Sequence, residues 1–135
     1  MKALDEAIRL AAKLHEGQFR DGDSPLPYIV HPIEVVSNLR YVGGVVDEDI
    51  LVAGALHDTI EESDADPILF RKKFGNRATA LIVEMTRKEP SESETKGMSA
   101  EEIWQLRSRM LLDEIGKMSR DCQILKLADR LSNVR

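Results

Sequence analysis

Two histidines and two aspartates in this chain are of the types a divalent metal takes together. His31 stands in the run Tyr28-Ile29-Val30-His31-Pro32, His57 is followed directly by Asp58, and Asp129 lies in Lys126-Leu127-Ala128-Asp129-Arg130-Leu131. Two neutral imidazoles and two carboxylates form a mixed nitrogen and oxygen set, suited to an ion that activates water. Glu61 and Glu62 follow closely; the pairs His57/Glu61 and Asp58/Glu62 are each four residues apart, so on a continuous helix each shares a face. A plainer reading makes Asp58, Glu61 and Glu62 the solvated end of a buried helix. Acids at a helix C-terminus oppose the macrodipole, and a bound cation would remove that conflict. His31 alone also reads as a helix-start residue bonded to backbone, and His15 as a packing or hydrogen-bonding residue of the first helix. Metal chemistry requires the separated pieces to converge.

The elements that must position them are helical nearly throughout, and the expected fold class is all-α. Leu4, Ala7, Ile8, Ala11 and Leu14 repeat at helical spacing, with Gly17 as a stop. Residues 18–30, with Gly22, Pro25 and Pro27, read as a loop. His31-Pro32 opens a second helix, carried by Ile33, Val36, Leu39 and Val42 to Gly43-Gly44. Asp47 is the expected N-cap of a segment from Ile50 to Leu56 that is almost wholly apolar, and such a helix belongs in the middle of the fold. Asp66-Pro67 starts a short helix stopping at Gly75, Ala78 to Met85 makes the next, and residues 87–98 form a polar, mobile loop. Ser99-Ala100-Glu101-Glu102 has capping-box spacing and opens a helix through Ile103, Leu106, Met110, Leu111 and Ile115. The last helix begins near Ser119, with Ile124, Leu127, Ala128 and Leu131 as its expected buried stripe and Lys126, Asp129, Arg130 and Asn133 beside it.

A chain of 135 residues with 42% hydrophobic and 32% charged residues suits one globular domain, 1–135, rather than a disordered one. A net charge of −5 argues against a nucleic-acid polymer or an anionic membrane as partner, although local Arg and Lys beside a metal can still hold an anionic small molecule. No apolar run reaches the length of a membrane span, and the amphipathic N-terminus does not read as a signal peptide. The single Cys122 excludes an internal disulfide and fits a reducing compartment, so the expected location is the cytoplasm.

The stretches Gly17-Gln18-Phe19-Arg20, Pro27-Tyr28-Ile29-Val30-His31-Pro32, Leu56-His57-Asp58-Thr59-Ile60-Glu61 and Lys126-Leu127-Ala128-Asp129-Arg130-Leu131-Ser132-Asn133 resemble the HD-type hydrolase domain of the RelA/SpoT family. Phe74-Gly75-Asn76 and Met85-Thr86-Arg87-Lys88 resemble it too. The resemblance implies a compact multi-helix HD-domain bundle holding one Mn²⁺, acting as a stand-alone small alarmone hydrolase. The implied reaction removes pyrophosphate from the 3′ position of (p)ppGpp, leaving GDP or GTP. By match to the motifs, His31, His57, Asp58 and Asp129 would be the metal ligands. Glu61 and Glu62 would position and activate the attacking water, and Arg20 and Asn133 would contact nucleotide. Arg20, with basic residues of the 87–98 loop, could neutralise the 3′-pyrophosphate; Lys88 and Lys96 read equally well as solvated surface.

Three departures from the family pattern bear on activity. Glu62 stands where the family has Asp, Asp21 follows Arg20 where many members carry a basic residue, and the chain stops at Arg135 inside the last motif helix. The last is expected of either a truncated chain or an unusually short member. Two other functions fit the same residues: a metal-dependent phosphohydrolase of another nucleotide, such as a nucleoside monophosphate or NADPH, or a catalytically weak nucleotide-binding regulatory module.

Overall fold

The computed structural model describes residues 1–23, 25–86 and 90–134. Among them the ordered elements are helices, in line with the all-α expectation. Helix α1 (Lys2–Leu14) buries Ala7 and Ala11 completely, small residues that let it lie close against its neighbour. Gly17, at φ +79, turns the chain out of the helix in a conformation that costs glycine little. The following loop is more ordered than its Pro and Gly content suggests: Arg20 N–H donates to the Leu26 carbonyl (2.8 Å) and Tyr28 N–H to that of Gln18 (2.9 Å). This doubling back brings Arg20 and Tyr28 to the same end of the fold as His31.

Helix α2 (Val30–Ser37) holds Pro32 in its first turn and runs into a π-helical turn at Asn38–Val42. Leu39 is buried as expected, and Val35 is buried with it, while Ile33 and Val42 are exposed, against the expected stripe. Helix α3 (Glu48–Leu56) is capped as expected, the Asp47 carboxylate accepting from the amides of Asp49 and Ile50. Every residue from Ile50 to Leu56 is buried. Helices α1, α2, α5 and α8 pack around it. Gly54 is the point of closest approach: a Cβ there would lie 2.7 Å from a Leu39 methyl.

The chain then makes one short helical turn, α4 (Thr59–Glu62). Helix α5 (Pro67–Met85) begins at the Asp66 cap and is broken at Gly75 (φ +88), which separates the two helical segments the sequence pattern predicts. Its second half buries Ala78, Thr79, Leu81, Ile82 and Met85. Arg87 to Glu89 lie outside the described residues. The rest of the expected polar loop contains a single turn, α6 (Glu92–Thr95), because Ser91 and Glu94 form a complete capping box.

Helix α7 (Ala100–Lys117) has the predicted Ser99/Glu102 capping box, but none of its residues is fully buried. Its apolar positions Ile103, Leu106, Met110, Leu111 and Ile115 are only half-buried. Helix α8 (Arg120–Asn133) departs most from expectation. Cys122, Leu125, Ala128, Asp129 and Ser132 face inward, whereas Leu127 is exposed and Ile124 and Leu131 are half-buried. The helix turns Asp129 and Ser132 toward His31 of α2 and His57 just after α3, and the apolar stripe is displaced to the flank.

One carboxylate ties α5 to the start of α8. Glu84 accepts from the Ser119 amide (3.0 Å) and hydroxyl (2.7 Å), while Ser119 Oγ caps α8 by accepting from the Cys122 amide. Burial works upward on the Glu84 pKa, but the bonds from Ser119 and Cys122 outweigh it and hold the carboxyl below its ordinary 4.5. Glu84→Ala should therefore cost about 1 kcal/mol at neutral pH. A lowered folded-state pKa makes that contribution present above the ordinary value and lost as pH falls through the lowered one. Urea unfolding of wild type and variant should accordingly show a gap at pH 7 that closes in acid.

Candidate metal centre

Three elements deliver the predicted ligands to one point. Helix α2 carries His31 in its first turn, the buried helix α3 ends directly before His57 and Asp58, and the inward face of α8 carries Asp129. His31, His57 and Asp129 are buried and Asp58 is half-buried, and each offers one ligand atom, all four lying within 4.8 Å of one another. The shortest approaches are His31 Nε2 to Asp129 Oδ1 (2.9 Å) and His57 Nε2 to Asp58 Oδ2 (3.0 Å). The two Nε2 atoms face each other at 3.2 Å. Their rings meet edge to face, with centroids 5.1 Å apart.

The donor set fits a cation. His57 Nδ1 donates to the Gly54 carbonyl at 2.7 Å, and a carbonyl can only accept. The neutral imidazole therefore presents a lone pair at Nε2, toward Asp58, Asp129 and His31. Two imidazole nitrogens and two carboxylate oxygens aimed at a common point repel one another unless protons or a metal ion lie between them. Without an ion, the acids draw protons onto the rings. Burial pulls the His57 pKa down, but the Asp58 charge and the hydrogen bonds to Asp129 and Asp58 outweigh it and raise it to about 10. His31 is likewise raised, burial being outweighed by its bonds to Asp129 and Asp58. Asp58 and Asp129 are held well below the ordinary carboxylate range: burial pushes both up, and the histidines overcome it.

Tyr28 completes the coordination of Asp58, its hydroxyl donating to Oδ2 at 2.7 Å. Burial and the Asp58 charge raise the phenol pKa, so it stays a donor. Lys126 Nζ lies 3.6 Å from Asp129 Oδ2. The expected continuous helix from His57 through Glu62 is not found: α3 ends at Leu56, and Asp58 precedes the separate turn α4. The break turns the Asp58 carboxylate back toward the imidazoles. Glu61 and Glu62 still line the cavity over the cluster, with Tyr28, Leu111, Lys126 and Asn133 among the other walls.

Arg20 and Asn133, far apart in sequence, are also brought together: Arg20 Nη2 donates to Asn133 Oδ1 at 3.3 Å. With Gln18, Phe19, Asp21, Tyr28 and Glu62 they line an adjoining cleft of about 780 Å³, within the size range of small-molecule sites. Tyr28, Glu62 and Asn133 belong to both spaces, which are therefore contiguous. His15 takes the packing role expected of it, its ring against Tyr28 (centroids 4.6 Å apart) and Nδ1 2.8 Å from Gln18 Oε1. Gln18 in turn donates to the Glu62 carbonyl at 2.5 Å, fastening α4 to the loop that follows α1. No role for Tyr28, Gln18 or Ser132 is evident in the sequence alone. The one available signal was position: Tyr28 lies three residues before His31, and Ser132 three after Asp129. Lys96 is exposed and lines neither space, while Lys88 lies outside the described residues.

An all-helical bundle bringing a His, a His-Asp pair and a distant Asp to one point defines the HD class. The chain belongs to the HD domain family, whose model matches residues 7–135. Among its relatives are the guanosine-3′,5′-bis(diphosphate) 3′-pyrophosphohydrolases MESH1 of Drosophila melanogaster and of Homo sapiens. Each is 32% identical over 130 residues, a match covering 96% of this chain and 66% of the relative. A GTP pyrophosphokinase of Streptomyces coelicolor is 33% identical over 138 residues, covering 100% of this chain but 15% of that protein. A solved structure described as "A metazoan ortholog of SpoT hydrolyzes ppGpp and plays a role in starvation responses" superposes with a TM-score of 0.84 at 30% identity, covering 100% of this chain and 70% of that one. The resemblance carried by the motifs, and the all-helical bundle it implied, are borne out. No helix among the described residues is long and apolar enough to cross a membrane.

Proposed function

We propose that this domain is a Mn²⁺-dependent guanosine-3′,5′-bis(diphosphate) 3′-pyrophosphohydrolase, converting (p)ppGpp to GDP or GTP and pyrophosphate. The observation that carries this is the contiguity of two spaces. One is the four-residue cluster able to hold a metal ion; the other is the cleft with the paired Arg20 and Asn133. The relatives named for this reaction support it, although the chain spans 66% of their length. A divalent ion held by His31, His57, Asp58 and Asp129 supplies Lewis-acid activation of water and of a phosphate oxygen, and the mixed donor set suits Mn²⁺.

The chain's own side chains do the rest. Glu61 and Glu62, at the cavity wall, hold the attacking water and take its proton. The water oxygen bonds to the phosphorus next to the 3′ oxygen, the bond from that phosphorus to the 3′ oxygen breaks, and the 3′ oxygen leaves with a proton. Arg20 offsets charge on the diphosphate, and its bond to Asn133 sets the direction of its fork. A single domain working in the cytoplasm completes the reading, supported by the buried, unpaired Cys122.

Purified protein given Mn²⁺ and ppGpp should release pyrophosphate and GDP in equal amounts, followed by ion-exchange chromatography. A nucleoside monophosphate and NADPH in the same assay should be left largely intact, since neither presents a 3′-diphosphate. Binding of ppGpp without product would replace this reading with that of a regulatory module. Equal turnover of a nucleoside monophosphate would replace it with a general nucleotide phosphohydrolase.

A further inference from the structure

His57 has its tautomer set by a backbone carbonyl, which every residue could supply. His31 has no such partner. Its Nδ1 instead meets Ser132 Oγ at 3.0 Å, and Ser132 Oγ lies 2.8 Å from Glu34 Oε2. A hydroxyl has one proton to give, and an ionised carboxylate can only accept. Ser132 must therefore donate to Glu34, and its remaining capacity toward His31 is a lone pair. Nδ1 of His31 is then the donor, and the lone pair of the neutral ring falls on Nε2, the nitrogen facing Asp129, Asp58 and His57. Ser132 and His31 are both buried, so water does not compete for these positions.

We propose that Glu34 and Ser132 are positioning residues for the metal site: a carboxylate–hydroxyl–imidazole relay that fixes His31 in the tautomer able to ligate through Nε2. This rests on the reading of His31 as a ligand. Glu34 acts only through Ser132, since the serine proton separates it from the ring. Two consequences distinguish the relay from ordinary packing. Removing Ser132 leaves the Nδ1–H of His31 buried without an acceptor. Removing Glu34 frees the Ser132 proton to point at Nδ1, which stabilises the opposite tautomer and puts a hydrogen where the ion should be. Outer partners of metal-binding histidines commonly contribute about 10–100-fold in metal affinity.

The test is Mn²⁺ binding to the full chain, read from the loss of the free-ion electron paramagnetic resonance signal, with thermal unfolding of the metal-free proteins as a check on folding. Ser132→Ala and Glu34→Ala should each weaken Mn²⁺ binding by about 10-fold or more. The double variant should be no weaker than Ser132→Ala alone. Glu34→Gln, whose amide oxygen still accepts the serine proton, should recover most of the affinity lost in Glu34→Ala. Wild-type affinity in both alanine variants, with His57→Ala failing to bind, would overturn the relay while leaving the metal site standing. Additive losses in the double variant would also overturn it, by showing that Glu34 acts independently of Ser132. Absence of binding in wild type would overturn the ligand assignment itself, and the relay with it.

Discussion

His57→Ala should leave a protein that no longer retains Mn²⁺ through dialysis and no longer releases pyrophosphate from ppGpp. Of the four clustered side chains, His57 is the most enclosed in its surroundings: it is buried, held by the Gly54 carbonyl, and within 3.3 Å of both acids and of His31. Alanine removes a nitrogen donor and creates a space that no neighbouring side chain is placed to fill with another. Loss of an outer partner costs about 10–100-fold in affinity, so loss of a direct ligand should exceed about 100-fold. Elemental analysis of dialysed protein reads this directly, and near-stoichiometric metal in the variant would refute the assignment. The histidine also offsets the charges of Asp58 and Asp129, so its removal will lower the stability of the metal-free protein. Asp129→Asn provides an independent check. It keeps the side-chain volume, removes one acidic ligand, and relieves rather than creates repulsion between the two acids. It should lose the metal while remaining folded.

Much of the frame was legible because helices declare themselves twice, by periodicity and by their ends. Asp47, Asp66, Ser99 and Ser119 all cap the helices expected to follow them. The apolar run Ile50 to Leu56 of α3 sits at the centre, as a helical segment without a polar face must. What failed was rotation. On α8, Ile124, Leu127 and Leu131 have the spacing of a core stripe, yet the inward face is set by Asp129 and Ser132, whose partners lie on other helices. Apolar spacing along a helix carries no trace of a buried polar contact with a residue about a hundred positions away. The same limit applies to α2 and the π-helical turn after it, where Leu39 of the expected stripe is buried but Ile33 and Val42 are exposed and Val35 faces inward.

The site was legible in its parts and illegible in its supports. His31, His57, Asp58 and Asp129 are of recognisable metal-ligating types, and the flanking motifs tied them together. Arg20 and Asn133 could be paired only through family resemblance, since nothing in either residue's neighbourhood points to the other. Tyr28, Gln18 and Ser132 do their work through hydrogen bonds to residues distant in sequence. Such a bond exists only once the fold does. The break after Leu56 was hidden for a different reason: His57 and Asp58 are compatible with continued helix by propensity, and it is the pull of the cluster on the Asp58 carboxylate that rewards the turn.

Glu62→Gln should reduce kcat by about 100-fold or more while leaving Mn²⁺ affinity unchanged. Glu62 is exposed and outside the four-ligand cluster, so the ion does not depend on it. Its backbone, in contrast, is held firmly: the carbonyl accepts from Gln18, and the short turn α4 ties it to Asp58, whose carbonyl accepts the Glu62 amide at 2.9 Å. A side chain on a fixed root at the junction of the cavity over the four-residue cluster and the adjoining cleft suits a group that must take a proton from water between them. Glutamine keeps the shape and the hydrogen bonding but cannot accept the proton, so the loss should appear in kcat and not in KM. Glu62→Asp sharpens the point, because Asp is the residue the family resemblance implies here. Shortening the side chain withdraws the carboxylate by roughly 1.5 Å, one carbon–carbon bond, and misplacement of that order can cost about 100-fold. If the longer glutamate holds the water imperfectly, aspartate should raise kcat about tenfold or more, again with the metal affinity unmoved. Equal kcat in wild type, Gln and Asp variants would remove Glu62 from the proton path and leave Glu61 as the base. A fall in Mn²⁺ affinity in Glu62→Gln would instead make Glu62 part of the ion's coordination, and the division between four ligands and two bases would have to be redrawn.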